Sequence, residues 1–136
     1  MSLQSLGMTL SVAQTIEEYL SGLPQPHRRL AETEWGFTVE AAGWPLDVGI
    51  ALRDGLFRVQ APVCEADRIP EGTLLWWNRR LPLLRFAATQ DGEVWLCCDL
   101  PVTSIDQRQL DRTLGLFVLT ATQARQQAYL PAGDSN

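Results

Sequence analysis

Apolar and polar positions alternate most cleanly between Leu46 and Ala61. Leu46, Val48, Ile50 and Leu52 face one way, and Asp47, Gly49, Ala51 and Arg53 face the other. Asp54-Gly55 fits a two-residue type I′ turn, which pairs Leu52 with Phe57, Ile50 with Val59 and Val48 with Ala61. Both apolar sets then land on one face, so turn length and pattern agree. Upstream, Trp35, Phe37, Val39 and Ala41 alternate with Gly36, Thr38 and Glu40, a half-buried strand that Gly43 to Pro45 turns into the next. Pro62 ends the third strand, and Val63 to Ile69 reads as a loop.

A second hairpin runs from Leu83 to Pro101. With Asp91-Gly92 as a two-residue turn, Phe86 would pair with Cys97 and split the apolar residues between two faces. A three-residue loop, Gln90-Asp91-Gly92 with Gly92 left-handed, instead sets Leu84, Phe86 and Ala88 against Cys98, Leu96 and Val94. The pattern therefore selects the three-residue loop.

Helical spacing appears three times. Ser11-x-x-Gln14 is a capping box ahead of Val12, Ile16, Tyr19, Leu20 and Leu23, with Gly22 and Pro24 as the stop. Pro70 suits the first turn of a short helix, Leu74 to Leu81, in which Leu74, Trp77, Asn78 and Leu81 share a face and Leu75 and Trp76 point elsewhere. Ser104 or Asp106 caps a long last helix, whose core stripe holds Leu110, Leu114, Phe117, Val118, Ala121, Ala124 and Ala128. Leu116 and Leu119 lie on its far side.

The resulting order is α-β-β-β-α-β-β-α: an α+β fold with an antiparallel five-stranded sheet and helices packed on one face. One domain spans residues 9–130, and residues 1–8 and 131–136 are expected to be flexible ends, with Met8 an alternative start. A formal charge of -5 and a pI near 4.7 argue against a direct grip on nucleic acid or on an anionic membrane. All eleven basic residues are Arg. Three cysteines, Cys64, Cys97 and Cys98, cannot all pair within one chain, which points to a reducing, cytoplasmic setting.

Chemistry is sparse. Glu17, Glu18, Glu32, Glu34 and Asp99 are the acids a hydrolase would recruit, but the sole imidazole, His27, falls in a polar connector from Pro24 to Glu32 with no partner in view. There is no Ser/His/Asp set, no Gly-x-Ser-x-Gly, no metal-ligand spacing and no phosphate-cradling loop. The expectation is no enzyme, no cofactor and no metal. What remains is apolar surface: Leu75, Trp76, Trp95, Leu116 and Leu119 lack an obvious core role, and Arg79 and Arg80 flank the first two. These seven residues are the expected dimer or client interface.

The run Leu74-Leu75-Trp76-Trp77-Asn78, the segment Leu83 to Ala87, the Asp91-Gly92-Glu93-Val94 turn and Leu100-Pro101 before the long helix resemble the YbjN-like family of bacterial sensory-transduction regulators. The resemblance implies the fold of type III secretion chaperones and a cytoplasmic homodimer that binds a client protein without chemistry. It also implies a stress-response role, with a nucleic-acid-binding repair protein, such as a single-stranded-DNA-binding one, as a sensible client. Arg79, Arg80 and the two tryptophans depart from the family's dimer helix. The alternative is a ligand-sensing domain with a small apolar pocket near Trp35, Trp44 and Trp95.

Overall fold

The computed structural model describes residues 3–130, the side chains of residues 4 and 5 excepted. Its elements are α1 (Leu3–Ser21), β1 (His27–Ala31), β2 (Glu34–Ala41), β3 (Trp44–Arg53), β4 (Leu56–Cys64), α2 (Glu71–Arg80), β5 (Leu84–Ala88), β6 (Val94–Pro101) and α3 (Gln107–Ala128). A 3₁₀ turn, Val102–Ser104, links β6 to α3. The strands form one antiparallel sheet in the order β1-β2-β3-β4-β6-β5.

The sheet has six strands where the hydrophobic pattern implied five. The extra one is β1, whose burial shows no alternation because four of its five residues are exposed. Its pairing with β2, His27 opposite Phe37 and Arg29 opposite Trp35, makes it a strand. Charged side chains and a bulge between Arg29 and Ala31 are usual on a sheet edge.

The β3–β4 and β5–β6 hairpins follow the sequence closely. Leu52 pairs with Phe57 and Ile50 with Val59 across a turn in which Asp54 and Gly55 both have positive φ, as type I′ requires. Leu84, Phe86 and Ala88 pair with Cys98, Leu96 and Val94, and Gly92 is left-handed at φ 89°. Three boundaries differ. The β2–β3 turn is Ala42-Gly43 rather than Gly43 to Pro45, so β3 begins at Trp44. β4 continues past Pro62 through an irregularity that lets Val63 and Cys64 both be buried. α2 begins at Glu71, with Pro70 as its N-cap.

α1 begins at Leu3, well before the expected cap at Ser11. Ser11 lies inside the helix, where its carbonyl accepts from the Thr15 hydroxyl. The first turns escaped notice because Leu3, Leu6 and Leu10 are exposed and follow no core-facing stripe. From Val12 onward the helix packs on the sheet through Val12, Ala13, Ile16 and Leu20.

α3 is the main lid of the core. Asp106 caps it by accepting from the Gln109 backbone N–H at 2.7 Å. Leu110, Leu114, Phe117, Ala121, Ala124 and Ala128 meet Trp35, Phe57, Val59 and Leu96 in one continuous cluster. Arg125, missing from the expected stripe, lies inside this core at 1% exposure.

Candidate functional site

α2 is attached lightly. None of its residues is buried. Asn78 ties it to β5 by a reciprocal pair: its amide donates to the Phe86 carbonyl at 3.0 Å, and its Oδ1 accepts from the Phe86 N–H at 2.6 Å. The Trp77 ring meets Phe86 at 5.6 Å. With Trp77 turned toward the sheet, helical geometry sends Leu75 and Trp76 outward, where they are 69% and 55% exposed. The Arg80 guanidinium lies 5.8 Å from the Trp76 ring. Glu71 in the first turn and Arg79 and Arg80 in the last complement the helix dipole.

A groove of about 720 Å³ separates α2 from α3. Trp77, Leu81, Phe86 and Ala124 line it with Arg80 and Gln127. A second groove, about 660 Å³, opens between α1, β2 and α3. Its apolar lining includes Leu23, Phe37, Val39, Val118 and Leu119, and its polar members include Tyr19, Gln25 and Glu40. The Tyr19 hydroxyl donates to Asp111 at 3.0 Å. Burial, reinforced by that carboxylate, pushes Tyr19 up to about 12, so it stays a neutral donor.

The sheet face opposite the helices is open and polar. Asp99 accepts from Arg58 at 2.9 Å and Arg85 at 2.7 Å. Partial burial pushes its carboxyl up, but these two hydrogen bonds outweigh it and leave Asp99 below the usual range. Arg53 pairs with Glu34 at 2.7 Å, and the Trp95 indole N–H donates to Glu93 at 2.7 Å. These acids serve as partners for neighbouring donors.

The seven expected interface residues do not form one surface. Leu75, Trp76, Arg79 and Arg80 come together on α2. Trp95 is half-buried on the open sheet face, and Leu119 is exposed at the second groove. Leu116 packs against the core, so its assignment to a free far side is corrected. Sequence reasoning missed Gln25 and Glu40. Val39 and Val118, set there in apolar patterns, are only half-buried, and that partial exposure marks the groove.

His27 is not partnerless. Its Nε2 lies 2.9 Å from Glu17, whose other oxygen accepts from the Trp35 indole N–H at 2.8 Å. The hydrogen bonds from His27 and then Trp35 hold Glu17 below the usual carboxylate range. Arg29 stacks 5.2 Å over Trp35. The cluster fastens β1 to α1. Trp35, Trp44 and Trp95 share no common cavity: Trp35 borders a 330 Å³ trough, Trp44 a 220 Å³ recess and Trp95 neither. Among the described residues no three His, Cys, Asp or Glu side chains converge as a metal site, and no helix is long and apolar enough to cross a membrane.

Residues 13–128 match the model of the YbjN family, described as "Putative bacterial sensory transduction regulator". No curated protein sequence matches. Among solved structures, a chain of the ExsC–ExsE complex aligns over 98% of this chain and 99% of its own, with 22% identity and a TM-score of 0.68. The Yersinia pestis type III secretion chaperone SycH, solved with a stable fragment of YscM2, aligns over 82% and 98%, with 18% identity and a TM-score of 0.59. The HopA1–SchA chaperone–effector complex aligns over 93% and 98%, with 11% identity and a TM-score of 0.65. The fold is therefore that of type III secretion chaperones.

Proposed function

The chain belongs to the YbjN family, and on that premise we propose that it is a non-catalytic homodimer that binds a segment of another protein, as a chaperone or regulator does. The observation that carries this reading is α2, which buries no residue, exposes Leu75 and Trp76, and borders a 720 Å³ groove. Large apolar side chains gathered beside an open groove are the mark of an interaction surface. In the dimer the α2 face of each copy covers that of the other, an isologous contact with Leu75 and Trp76 at its centre and Arg79 and Arg80 at its rim.

The second groove and the β1 edge are left for the client. SycH and SchA, which share the fold, were each solved with a protein partner. A chain of formal charge -5 suits a client with basic surface, and a stress-response or nucleic-acid-binding repair protein fits that class. The three thiols are free, and burial pushes each of them up, which disfavours the reactive thiolate and suits a reducing cytoplasm.

Analytical ultracentrifugation of the wild type and Trp76→Ala tests the dimer. The wild type is expected as a dimer at about 10 μM, and Trp76→Ala is expected to shift toward monomer with unchanged circular dichroism, since an interface tryptophan is worth about 2 kcal/mol or more. A monomeric wild type would refute it. Affinity capture from the native host tests the client, and recovery of no partner protein by the wild type would count against that half.

A further inference from the structure

We propose that the groove between α1, β2 and α3 receives a client segment that is amphipathic and basic, its apolar side chains filling the groove and a Lys or Arg meeting Glu40. This deepens the client-binding reading and rests on it.

The groove's composition specifies the occupant. Leu23, Phe37, Val39, Val118 and Leu119 give it an apolar lining, and Leu119 stands 54% exposed at its mouth. Two of the four polar side chains are already engaged: Tyr19 donates to Asp111, and the Thr122 hydroxyl donates to the Val118 carbonyl at 2.7 Å. Two acceptors have no partner among the described residues. The Gln25 Oε1 is shielded from solvent and accepts no hydrogen bond. Glu40 is in no ion pair, and it is the sole charge in a lining that contains no cation. A buried carbonyl oxygen left unmet is costly, so an occupant with a hydrogen-bond donor gains where a purely apolar one does not.

Gly115 also lines the groove, and a Cβ there would meet nothing within 4 Å. The chain thus leaves room on α3 where any larger residue would project into the groove. α2 of a second copy also carries apolar and basic residues. In the dimer proposed above, however, α2 is already covered by the other copy and is not free to enter this groove. A separate client segment avoids that problem.

Fluorescence anisotropy with two labelled model peptides of equal length and hydrophobicity, one Leu/Lys and one Leu/Glu, tests the assignment on the full chain. The Leu/Lys peptide is expected to bind about tenfold more tightly, and Glu40→Gln to cut that preference several-fold. Gly115→Leu, which fills the groove and favours the helix, and Leu119→Gln are each expected to weaken binding about tenfold with an unchanged oligomeric state, melting rising in the first and holding in the second. Equal affinity for both peptides, binding of neither, or wild-type binding by Gly115→Leu would overturn the proposal. A changed oligomeric state in Leu119→Gln would overturn it in favour of a second copy. If a captured client is retained by Gly115→Leu at the wild-type level, the groove is wrong while client binding stands. If the wild type captures no client, client binding itself falls.

Discussion

At the residue scale, Arg125 ties together the end of the molecule where β2, β3 and β4 meet α3. Its Nε donates to the Val63 carbonyl, Nη1 to Ala41 and Trp44, and Nη2 to Pro45 and Pro62, at 2.9 to 3.3 Å. The guanidinium carbon sits 3.3 Å from the Trp44 ring centroid. Burial pushes Arg125 down, yet every N–H has an acceptor, which lets a cation remain there without a carboxylate. Arg125→Met should therefore cost about 3 kcal/mol or more in urea denaturation, since several carbonyls lose their donor at once. Arg125→Lys should rescue only part of it, because an ammonium lacks the planar fork. The signal was present in the sequence: Phe117, Ala121 and Arg125 are spaced at i+4, so the arginine interrupts an apolar stripe flanked by alanines that leave space for it. Hydrophobic periodicity passes over such a residue because it counts charge as surface.

Glu17 yields the pH prediction. The ordinary value for such a carboxyl is 4.5, and in the fold it is lower. Its ionised form therefore contributes stability that is complete above 4.5 and is lost as pH falls through the depressed folded value. The stability difference between wild type and Glu17→Gln should be flat near neutrality and shrink on acidification below about pH 4.5. A difference that stays constant into acid would assign the cluster's value to packing alone.

At the element scale, legibility followed burial. Strands with one buried face, such as β3 and β4, were readable to the residue pair, because a one-residue slip would expose every apolar side chain. β1 and the first turns of α1 bury little, so their sequences carry no period to find. α2 lies between these cases, and its two tryptophans separate packing from exposure. Trp77 is half-buried against Phe86, so Trp77→Ala should cost about 2 kcal/mol, less than a fully buried aromatic would. Trp76→Ala should change monomer stability by no more than about 0.5 kcal/mol. Chemical denaturation of both variants under monomeric conditions checks the contrast, and equal losses would place Trp76 in the core.

At the scale of the whole molecule, the proposed dimer has a definite electrostatic sign. In an isologous contact through α2 with the two helices parallel, each copy brings its own Arg79 and Arg80 to a shared rim, where like charges approach one another. The full chains repel as well, each carrying a formal charge of -5. Both terms oppose association and both are screened by salt, while apolar burial around Trp76 is not weakened by it. The dimer should therefore tighten when sodium chloride is raised from about 50 to about 500 mM, because the Debye length contracts from more than about 10 Å to a few ångströms. Binding of a basic client segment at Glu40 should weaken over the same range, since that contact is an attraction between opposite charges. Sedimentation velocity and peptide anisotropy along one salt series read the two slopes. Opposite signs support separate faces for the second copy and the client. A dimer that loosens with salt would mean that Arg79 or Arg80 pairs with an acid of the other copy, as with Glu71 in an antiparallel contact, and the parallel arrangement of the two α2 helices would have to be abandoned.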